Sequence, residues 1–78
     1  MDAHLAELIA EGGIDWIFDV FLDGEPRARV FGPAFKRNWV MWRLSKYCIA
    51  LGTQGLVSVK RWNNGKWEIA DDWRQFAN

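Results

Sequence analysis

The chain has 78 residues, of which half are hydrophobic and six are tryptophan, and its formal net charge is zero. This length allows one hydrophobic core, so residues 1–78 are predicted to form a single domain. A core of this size leaves a stability margin of only about 3–5 kcal/mol, and bulky tryptophans enrich it. The apolar composition excludes a disordered chain.

The single cysteine and the first residues of the chain bear on its location. Cys48 has no partner for a disulfide or a Cys-based metal site, which favours a reducing cytosol. The chain starts without a basic segment, and no apolar run approaches the roughly 18 residues that span a bilayer. The sequence therefore predicts a cytoplasmic protein that is neither secreted nor inserted in a membrane.

Charges are segregated along the chain although they sum to zero. Residues 1–25 hold seven acids and no Lys or Arg, whereas residues 26–66 hold nine bases and no acid. Such an asymmetry can orient a partner or a second copy of the protein. Alternatively, the two halves neutralise each other within the folded monomer, and the sequence leaves both interpretations open.

The first predicted element is a helix from Ala3 to Glu11. Asp2 can cap its N-terminus, and the pair Gly12-Gly13 ends it. A helix of about three turns is marginal alone, so it must dock through the apolar residues of one face. These residues are Leu5, Leu8 and Ile9.

A β-hairpin is predicted next, with strands at 14–22 and 27–31 joined by a turn rich in Gly and acidic residues. A three-residue connection would place Val20 opposite Ala28 on the buried face. A two-residue loop would instead place Arg27 opposite Val20, which puts a charge in the core. The three-residue connection is therefore the favoured prediction.

A central helix is predicted from Ala34 to Leu51, with Pro33 at its start and Gly52 at its end. The residues expected to pack on the sheet recur at helical spacing: Val40, Met41, Leu44, Tyr47, Cys48 and Leu51. A second apolar stripe lies nearly opposite them: Phe35, Trp39, Trp42 and Ile49. A helix resting on a sheet should be polar on that side. The favoured interpretation is that the N-terminal helix or the C-terminal aromatic residues cover this stripe, and the alternative is that a partner does.

A second hairpin is predicted from strands at 56–62 and 66–70, joined through Asn63-Asn64-Gly65. A three-residue loop is favoured because a two-residue loop would set Val59 and Glu68 on the same face of the sheet. This loop keeps the apolar residues of the two strands together and leaves Gly65 in a left-handed conformation.

The chain closes with a short helical turn that Asp71 or Asp72 can cap and that holds Trp73 and Phe76. The predicted fold class is therefore α+β. It is a single small domain with the order α-ββ-α-ββ, in which antiparallel hairpins pack on one central helix and a short C-terminal turn follows. The order of the strands within the sheet stays open.

No group of residues has the pattern of a catalytic or metal site. His4 is the only histidine and has no companion ligand for a metal. Cys48 lies on the core-facing side of the central helix, with no histidine expected near it. Asp15 and Asp19 are separated by roughly 13 Å along a strand, too far for two carboxylates acting on one bond. We therefore expect a non-enzymatic protein with no catalytic residue, metal or cofactor.

Basic and aromatic side chains define two candidate contact surfaces. The first belongs to the strands and hairpins: Arg27, Arg29, Phe31, Lys60, Arg61, Trp62 and Lys66. The second is the outward stripe of the central helix: Phe35, Trp39, Trp42, Arg43 and Lys46. Because Trp, Tyr and Arg dominate interface energies, the second surface, or the Trp62–Trp67 hairpin tip, predicts a protein partner. The alternatives are a nucleic acid stacked on the first surface, or a homodimer that pairs the acidic region of one copy with the basic middle of the other.

In size and architecture the chain resembles a known group of inhibitors. A 78-residue chain with tight hairpins such as Arg61-Trp62-Asn63-Asn64-Gly65-Lys66-Trp67, and a helix between them, is similar to small phage-encoded inhibitors of bacterial defence, notably anti-CRISPR proteins. The resemblance implies a rigid binder that occludes a site on a large ribonucleoprotein or nuclease. That group shares no sequence motif, so it assigns no residue roles here. The charge pattern favours contact through the basic and aromatic middle of the chain: Arg27, Arg29, Lys60 and Arg61.

Overall fold

The computed structural model describes residues 2–77, which form two α-helices and one four-stranded antiparallel sheet. The helices are α1 (Ala3–Glu11) and α2 (Arg37–Gly52). The strands are β1 (Trp16–Leu22), β2 (Glu25–Gly32), β3 (Val57–Asn63) and β4 (Lys66–Ala70). Short 3₁₀ turns are at Ala34–Lys36 and Trp73–Phe76. The order α-β-β-α-β-β confirms the predicted α+β fold class.

The strands lie side by side in the order β2-β1-β3-β4, so that β2 and β4 form the two edges. The central pair, β1 and β3, joins the two hairpins through antiparallel pairing, with Val20 opposite Val59. Neither helix in residues 2–77 is long and apolar enough to cross a bilayer.

The two helices pack on opposite faces of the sheet and form two hydrophobic clusters. Adjacent residues of β1 point to opposite sides, which sends Phe18 to one cluster and Ile17 to the other. The α2 cluster contains Phe18, Val20, Val30, Val40, Met41, Leu44, Cys48 and Val59. The α1 cluster contains Leu5, Leu8 and Ile17, with Trp62 and Trp67 packed against them.

The predicted limits of α1 are confirmed. The Asp2 carboxylate accepts a hydrogen bond of 2.8 Å from the backbone N–H of Leu5, as expected of an N-cap. Gly12 ends the helix with a positive φ of 67°. Leu5 and Leu8 are buried, whereas Ile9, which was also predicted to dock, remains largely exposed.

The first hairpin reaches its predicted register by a different route. Its turn has two central residues, Asp23 and Gly24, with φ of 50° and 82°, so the predicted three-residue connection is wrong. Val20 nevertheless pairs with Ala28, because a β-bulge inserts Arg27 into β2 as an extra residue. The bulge keeps the arginine out of the core and thus does what a longer loop was expected to do.

The predicted register of the second hairpin is wrong. The turn again has two central residues, Asn64 and Gly65, with φ of 49° and 88°, and Trp62 pairs directly with Trp67. The two tryptophan rings meet edge to face, with centroids 5.2 Å apart, and they pack against α1. This aromatic pair is formed only in the two-residue register.

From the sequence, the two-residue register is disfavoured because it places Glu68 on the same face as the valines of β3. That position is tolerated, since Glu68 is only half-buried and its carboxylate accepts a hydrogen bond of 2.7 Å from the Asn63 side-chain amide. Arg61 lies directly opposite Glu68 in the pairing. Glu68 is therefore accommodated on the α2 side of the sheet, at the end of β3 and β4 that the α2 cluster does not reach.

Helix α2 begins three residues later than predicted and continues through Gly52. Pro33 is extended and precedes the 3₁₀ turn, and the α-helix proper starts at Arg37. Among the predicted sheet-facing residues, Tyr47 is the one left exposed. The others are buried or packed on the core: Val40, Met41, Leu44, Cys48 and Leu51.

The C-terminal turn is confirmed, with Asp72 as its cap. Its carboxylate accepts a hydrogen bond of 2.9 Å from the backbone N–H of Arg74, which lowers the pKa of Asp72. The Phe76 ring contacts Phe18 edge to face at 5.5 Å. The tail therefore completes the α2 cluster and does not reach the outer side of α2.

Candidate functional site

The outer side of α2 carries large apolar side chains that no other part of residues 2–77 buries. The exposed fractions are 84% for Phe35, 62% for Ile49, 57% for Trp42 and 47% for Trp39. Because α1 packs on the opposite face of the sheet, the favoured interpretation of an internally covered stripe is wrong. We call this surface the α2 outer face; it comprises Phe35, Lys36, Trp39, Trp42, Arg43, Lys46 and Ile49. Contiguous apolar exposure of this kind marks interaction sites.

Cationic side chains lie against the aromatic rings of the α2 outer face. The Lys46 Nζ lies 5.1 Å from the centroid of the Trp42 ring, and the Arg43 guanidinium lies 5.0 Å from that of Trp39. Lys36 approaches the same Trp39 ring at 5.8 Å. These are cation–π distances, so the rings hold positive charge directly at the apolar surface.

Within residues 2–77 the cations of this face form no salt bridge, although the Asp15 carboxylate lies beside the 3₁₀ turn, where it accepts a hydrogen bond from the backbone N–H of Ala34. Between residues 26 and 67 the chain contains no acid. The salt bridges found among residues 2–77 involve Arg29 and Arg74 only. Lys36, Arg43 and Lys46 therefore create a positive potential that attracts acidic groups.

A shallow groove of about 450 Å³ runs along the α2 outer face. It is lined by Trp42, Arg43, Lys46, Tyr47 and Ala50. Its walls are mostly apolar, with the cationic groups at the rim, which is the combination that takes an apolar side chain with an adjacent carboxylate.

The first predicted contact surface contains an arginine that is engaged inside the molecule. Arg29 donates to the Asp19 carboxylate at 2.8 Å and to the Asp2 carboxylate at 2.9 Å. Its side chain is 15% exposed. The hydrogen bonds from Arg29 hold the pKa of the Asp2 carboxyl well below its usual range and raise the pKa of the guanidinium. Arg29 therefore fastens the start of α1 to the sheet.

The remaining residues of that predicted surface lie on both faces of the sheet and at both edges. Trp62 packs in the α1 cluster, and Lys60 lies on the same side, 4.8 Å from the Phe21 ring. Arg61 points to the α2 side, with its guanidinium 4.5 Å from the Trp16 ring. Arg27 and Lys66 are exposed on the opposite edge strands β2 and β4. Phe31 is exposed on β2 and contacts His4 edge to face.

Lys36 on the α2 outer face and Tyr47 in its groove are residues that the sequence pattern does not assign to this surface. Lys36 was not singled out, although it directly follows Phe35. Tyr47 was assigned to the sheet-facing stripe, yet it is exposed and its hydroxyl accepts a long hydrogen bond from Arg43 at 3.4 Å. The four-residue spacing between Arg43 and Tyr47 was the available signal, because it places both side chains on one side of a helix.

The groups considered for chemistry are engaged in structural contacts. The His4 ring lies 3.3 Å from the Arg29 guanidinium. Cys48 is buried in the α2 cluster, and burial, with a smaller effect from Asp72, raises the pKa of its thiol to about 11. Within residues 2–77, no three His, Cys, Asp or Glu residues are grouped as metal ligands.

Cys48 is therefore expected to resist alkylation in the native protein. At pH about 8, a thiol with a pKa of about 11 has roughly 100-fold less thiolate than an ordinary cysteine, and the thiolate is the reactive form. Mass spectrometry after iodoacetamide treatment should show slow native labelling and fast labelling in denaturant. Equal rates in the two conditions would show that Cys48 is accessible and ionised in the folded state.

The site described above is an apolar and cationic helix face, supported by the sheet and flanked by the β2 edge. Comparison of the chain with protein-family models, with curated proteins and with solved structures gives no significant match.

Proposed function

We propose that this chain is a non-catalytic binding protein that docks on an acidic protein surface through the α2 outer face. The observation that supports the proposal is the exposure of Trp39, Trp42 and Ile49 on α2, whose other side is buried against the sheet, and of Phe35 in the preceding 3₁₀ turn. Trp and Arg residues supply most of the binding energy in interfaces, and here they lie side by side. Burial of these rings against a partner removes apolar surface from water, which favours association.

The charge of the face defines the chemistry of the partner. Lys36, Arg43 and Lys46 attract carboxylates, and the groove between them takes an apolar side chain. Two copies of the same face would repel each other, since both are positive. An acidic partner therefore fits better than a dimer formed through α2. A different dimer would pair the acidic N-terminal region of one copy with the basic middle of the other. Sedimentation at micromolar concentration tests for it.

The role we propose for this binding is inhibition by occlusion in the bacterial cytoplasm. The support is the resemblance in size and architecture to phage-encoded anti-CRISPR proteins, together with a single cysteine that suits a reducing compartment. A standard interface covers about 800 Å² of each partner, which is about one sixth of the 5009 Å² surface of this molecule. A rigid domain of 34 × 26 × 16 Å can therefore block a site on a much larger ribonucleoprotein or nuclease.

A nucleic-acid partner is the second candidate, because aromatic rings with adjacent cations also bind stacked bases and phosphates. Titration with fluorescent single-stranded and duplex DNA and RNA separates the two. Binding at about 50 mM salt that falls steeply as salt rises would favour nucleic acid, and no binding at that salt would favour the protein partner.

The double variant Trp39→Ala/Trp42→Ala is expected to abolish inhibition. Removing two central tryptophans should weaken binding by at least about 100-fold, since each such residue commonly contributes 2 kcal/mol or more. Plasmid interference in bacteria carrying different CRISPR systems measures inhibition, and surface-immobilised effector complexes measure affinity.

Ile69→Ala is the matched control, because Ile69 is exposed to a similar degree but lies on β4, away from α2. It should inhibit as the unmodified protein does. If the double variant inhibits fully, the α2 outer face is not the docking surface. If the unmodified protein inhibits none of the systems and captures none of the effectors, the proposed inhibitor role is wrong.

A further inference from the structure

The outward edge of β2 is oriented for pairing with another strand. In a hairpin with a two-residue turn, the residues that flank the turn form a hydrogen-bonded pair, here Leu22 and Glu25. Successive residues of an edge strand turn their N–H and C=O groups alternately toward and away from the neighbouring strand, and the bulge shifts this alternation by one residue. The backbone groups of Val30 therefore point to β1, whereas those of Arg29 and Phe31 point away from the sheet. Gly32 fits this pattern, since its carbonyl points to the β1 side and accepts a hydrogen bond of 3.1 Å from the backbone N–H of Asp15.

The outward backbone groups of β2 have no partner within residues 2–77. The hydrogen bonds of turns, loops and side chains in this part of the chain do not reach the N–H or C=O of Arg29 or Phe31. Pro26 occupies another outward position, where its missing N–H removes nothing from the pairing with β1. The edge therefore offers two N–H and C=O pairs at alternate residues, the pattern that an added strand requires.

A cleft lies beside this edge and connects it to the α2 outer face. Its volume is about 160 Å³, about five times the share of one water molecule, which suits one apolar side chain. The cleft is lined by Arg29, Val30, Phe31, Trp39 and Arg43. Trp39 belongs to both surfaces, so a segment paired with β2 also contacts the α2 outer face.

We infer that the β2 edge binds an extended acidic segment of the protein partner as a fifth strand of the sheet. The added strand pairs with the outward backbone groups of Arg29 and Phe31 and places an apolar side chain in the cleft. Its carboxylates face Arg43, at the cleft wall, and Arg27, which is exposed on the bulge. This inference rests on the proposed function for the acidic character of the partner and adds the mode of recognition.

Charge selects an acidic segment over a second copy of this chain. Antiparallel pairing of β2 with itself would bring the Arg27 and Arg43 side chains of both copies to one edge. Like charges that face each other oppose such pairing, whereas a carboxylate can accept two hydrogen bonds from either guanidinium. Glu25 is the one acid of β2, and it lies at the turn end of the strand, outside the cleft.

The inference is tested by titrating the isotope-labelled full chain with the capped hexapeptide Glu-Thr-Val-Thr-Glu-Thr, whose Val and two Glu side chains point to the same face of an extended strand. Backbone amide shifts should concentrate at Arg29–Gly32 and at the Trp39 indole, and exchange of the Arg29 and Phe31 amide hydrogens should slow by at least about 10-fold as they become bonded. The same peptide with Lys in place of Glu, and the Glu peptide N-methylated at alternate residues, should each bind at least about 10-fold more weakly, because one reverses the charge and the other removes the strand hydrogen bonds. No shift at β2 by about 5 mM peptide, or equal binding of the N-methylated peptide, would overturn the inference.

A pair of variants isolates the backbone contact. Phe31→Pro removes the ring and the outward N–H, whereas Phe31→Ala removes only the ring. The proline variant should lose at least about 10-fold more peptide affinity than the alanine variant, because only it removes the strand hydrogen bond; equal losses would contradict strand addition. If the proline variant does not fold, the N-methylated peptide decides the question.

A third variant separates this inference from the proposed function. Trp42→Ala lies on the α2 outer face but outside the cleft. It should weaken binding of the whole partner and leave peptide binding unchanged. If Trp42→Ala loses partner binding but the peptide does not bind at β2 of the unmodified chain, the strand-addition inference is wrong and the proposed function stands. Peptide binding at β2, combined with full inhibition by Trp42→Ala, would count against the proposed docking face alone.

Discussion

Phe18→Ala is expected to unfold the domain at room temperature. Phe18 has no exposed surface, and its ring packs between Trp16, at 6.3 Å, and Phe76, at 5.5 Å. Removing a buried phenylalanine ring costs about 3–5 kcal/mol, which is about the whole stability margin of a domain of this size. Circular dichroism and the dispersion of amide signals should show a largely unfolded chain under conditions in which the unmodified protein melts cooperatively.

The control for this prediction is again Ile69→Ala, an exposed position on the same sheet. Its effect on the free energy of unfolding should lie within about 0.5 kcal/mol, as is usual for surface substitutions. If Phe18→Ala melted cooperatively near the temperature of the unmodified protein, the tail residue Phe76 would have to fill the space left by the ring. The α2 cluster would then be far more adaptable than its packing indicates.

The helices were predictable because their signals are local. The Asp2 cap and the glycines after Glu11 define α1 within the helix itself, and both limits are confirmed. The sheet-facing side of α2 follows from spacing alone for Val40 and Leu44. Errors arise at the borders of a face, as at Tyr47, where a small rotation of the helix decides between core and solvent.

The hairpins were harder because two local rules competed. Asp-Gly and Asn-Gly are the preferred pairs of two-residue turns, and both turns have that form. The predicted three-residue loops followed the other rule, that a charged residue should not share the buried face of the sheet with a valine. A bulge at Arg27 removed the conflict in the first hairpin, and the half-exposed end of the sheet tolerated Glu68 in the second. Neither solution has a signature in the sequence.

The exposure of the α2 outer face depends on where α1 and the C-terminal tail pack, which the sequence left open. Helix α1 lies across the sheet from α2, and the tail turns inward onto Phe18. The same arrangement resolves the segregated charges. Asp2 and Asp19 pair with Arg29 on the α1 side, and within residues 2–77 no N-terminal acid forms a salt bridge with Lys36, Arg43 or Lys46. The excess positive charge therefore coincides with the exposed rings.

Arg29→Met is expected to lower the free energy of unfolding by about 2 kcal/mol at neutral pH. This value lies between the small effect of a surface ion pair and the about 3–5 kcal/mol lost when one partner of a buried pair is removed, because the Arg29 and Asp19 side chains are each 15% exposed. The variant keeps the length of the side chain but leaves the Asp19 and Asp2 carboxylates facing each other without a cation. Urea denaturation monitored by tryptophan fluorescence measures the loss.

The pH dependence of this loss identifies its origin. The pKa of Asp2 is lowered in the folded protein, so its contribution is fully present above the ordinary aspartate pKa of about 3.9 and disappears as the pH falls through the lowered folded value. The stability difference between the unmodified protein and Arg29→Met should therefore shrink as the pH falls below about 4. Arg27→Met, an exposed change on the same strand, should show no such difference at any pH. A gap that stays constant into acid would mean that Arg29 stabilises the domain by packing on α1 rather than through its two carboxylates.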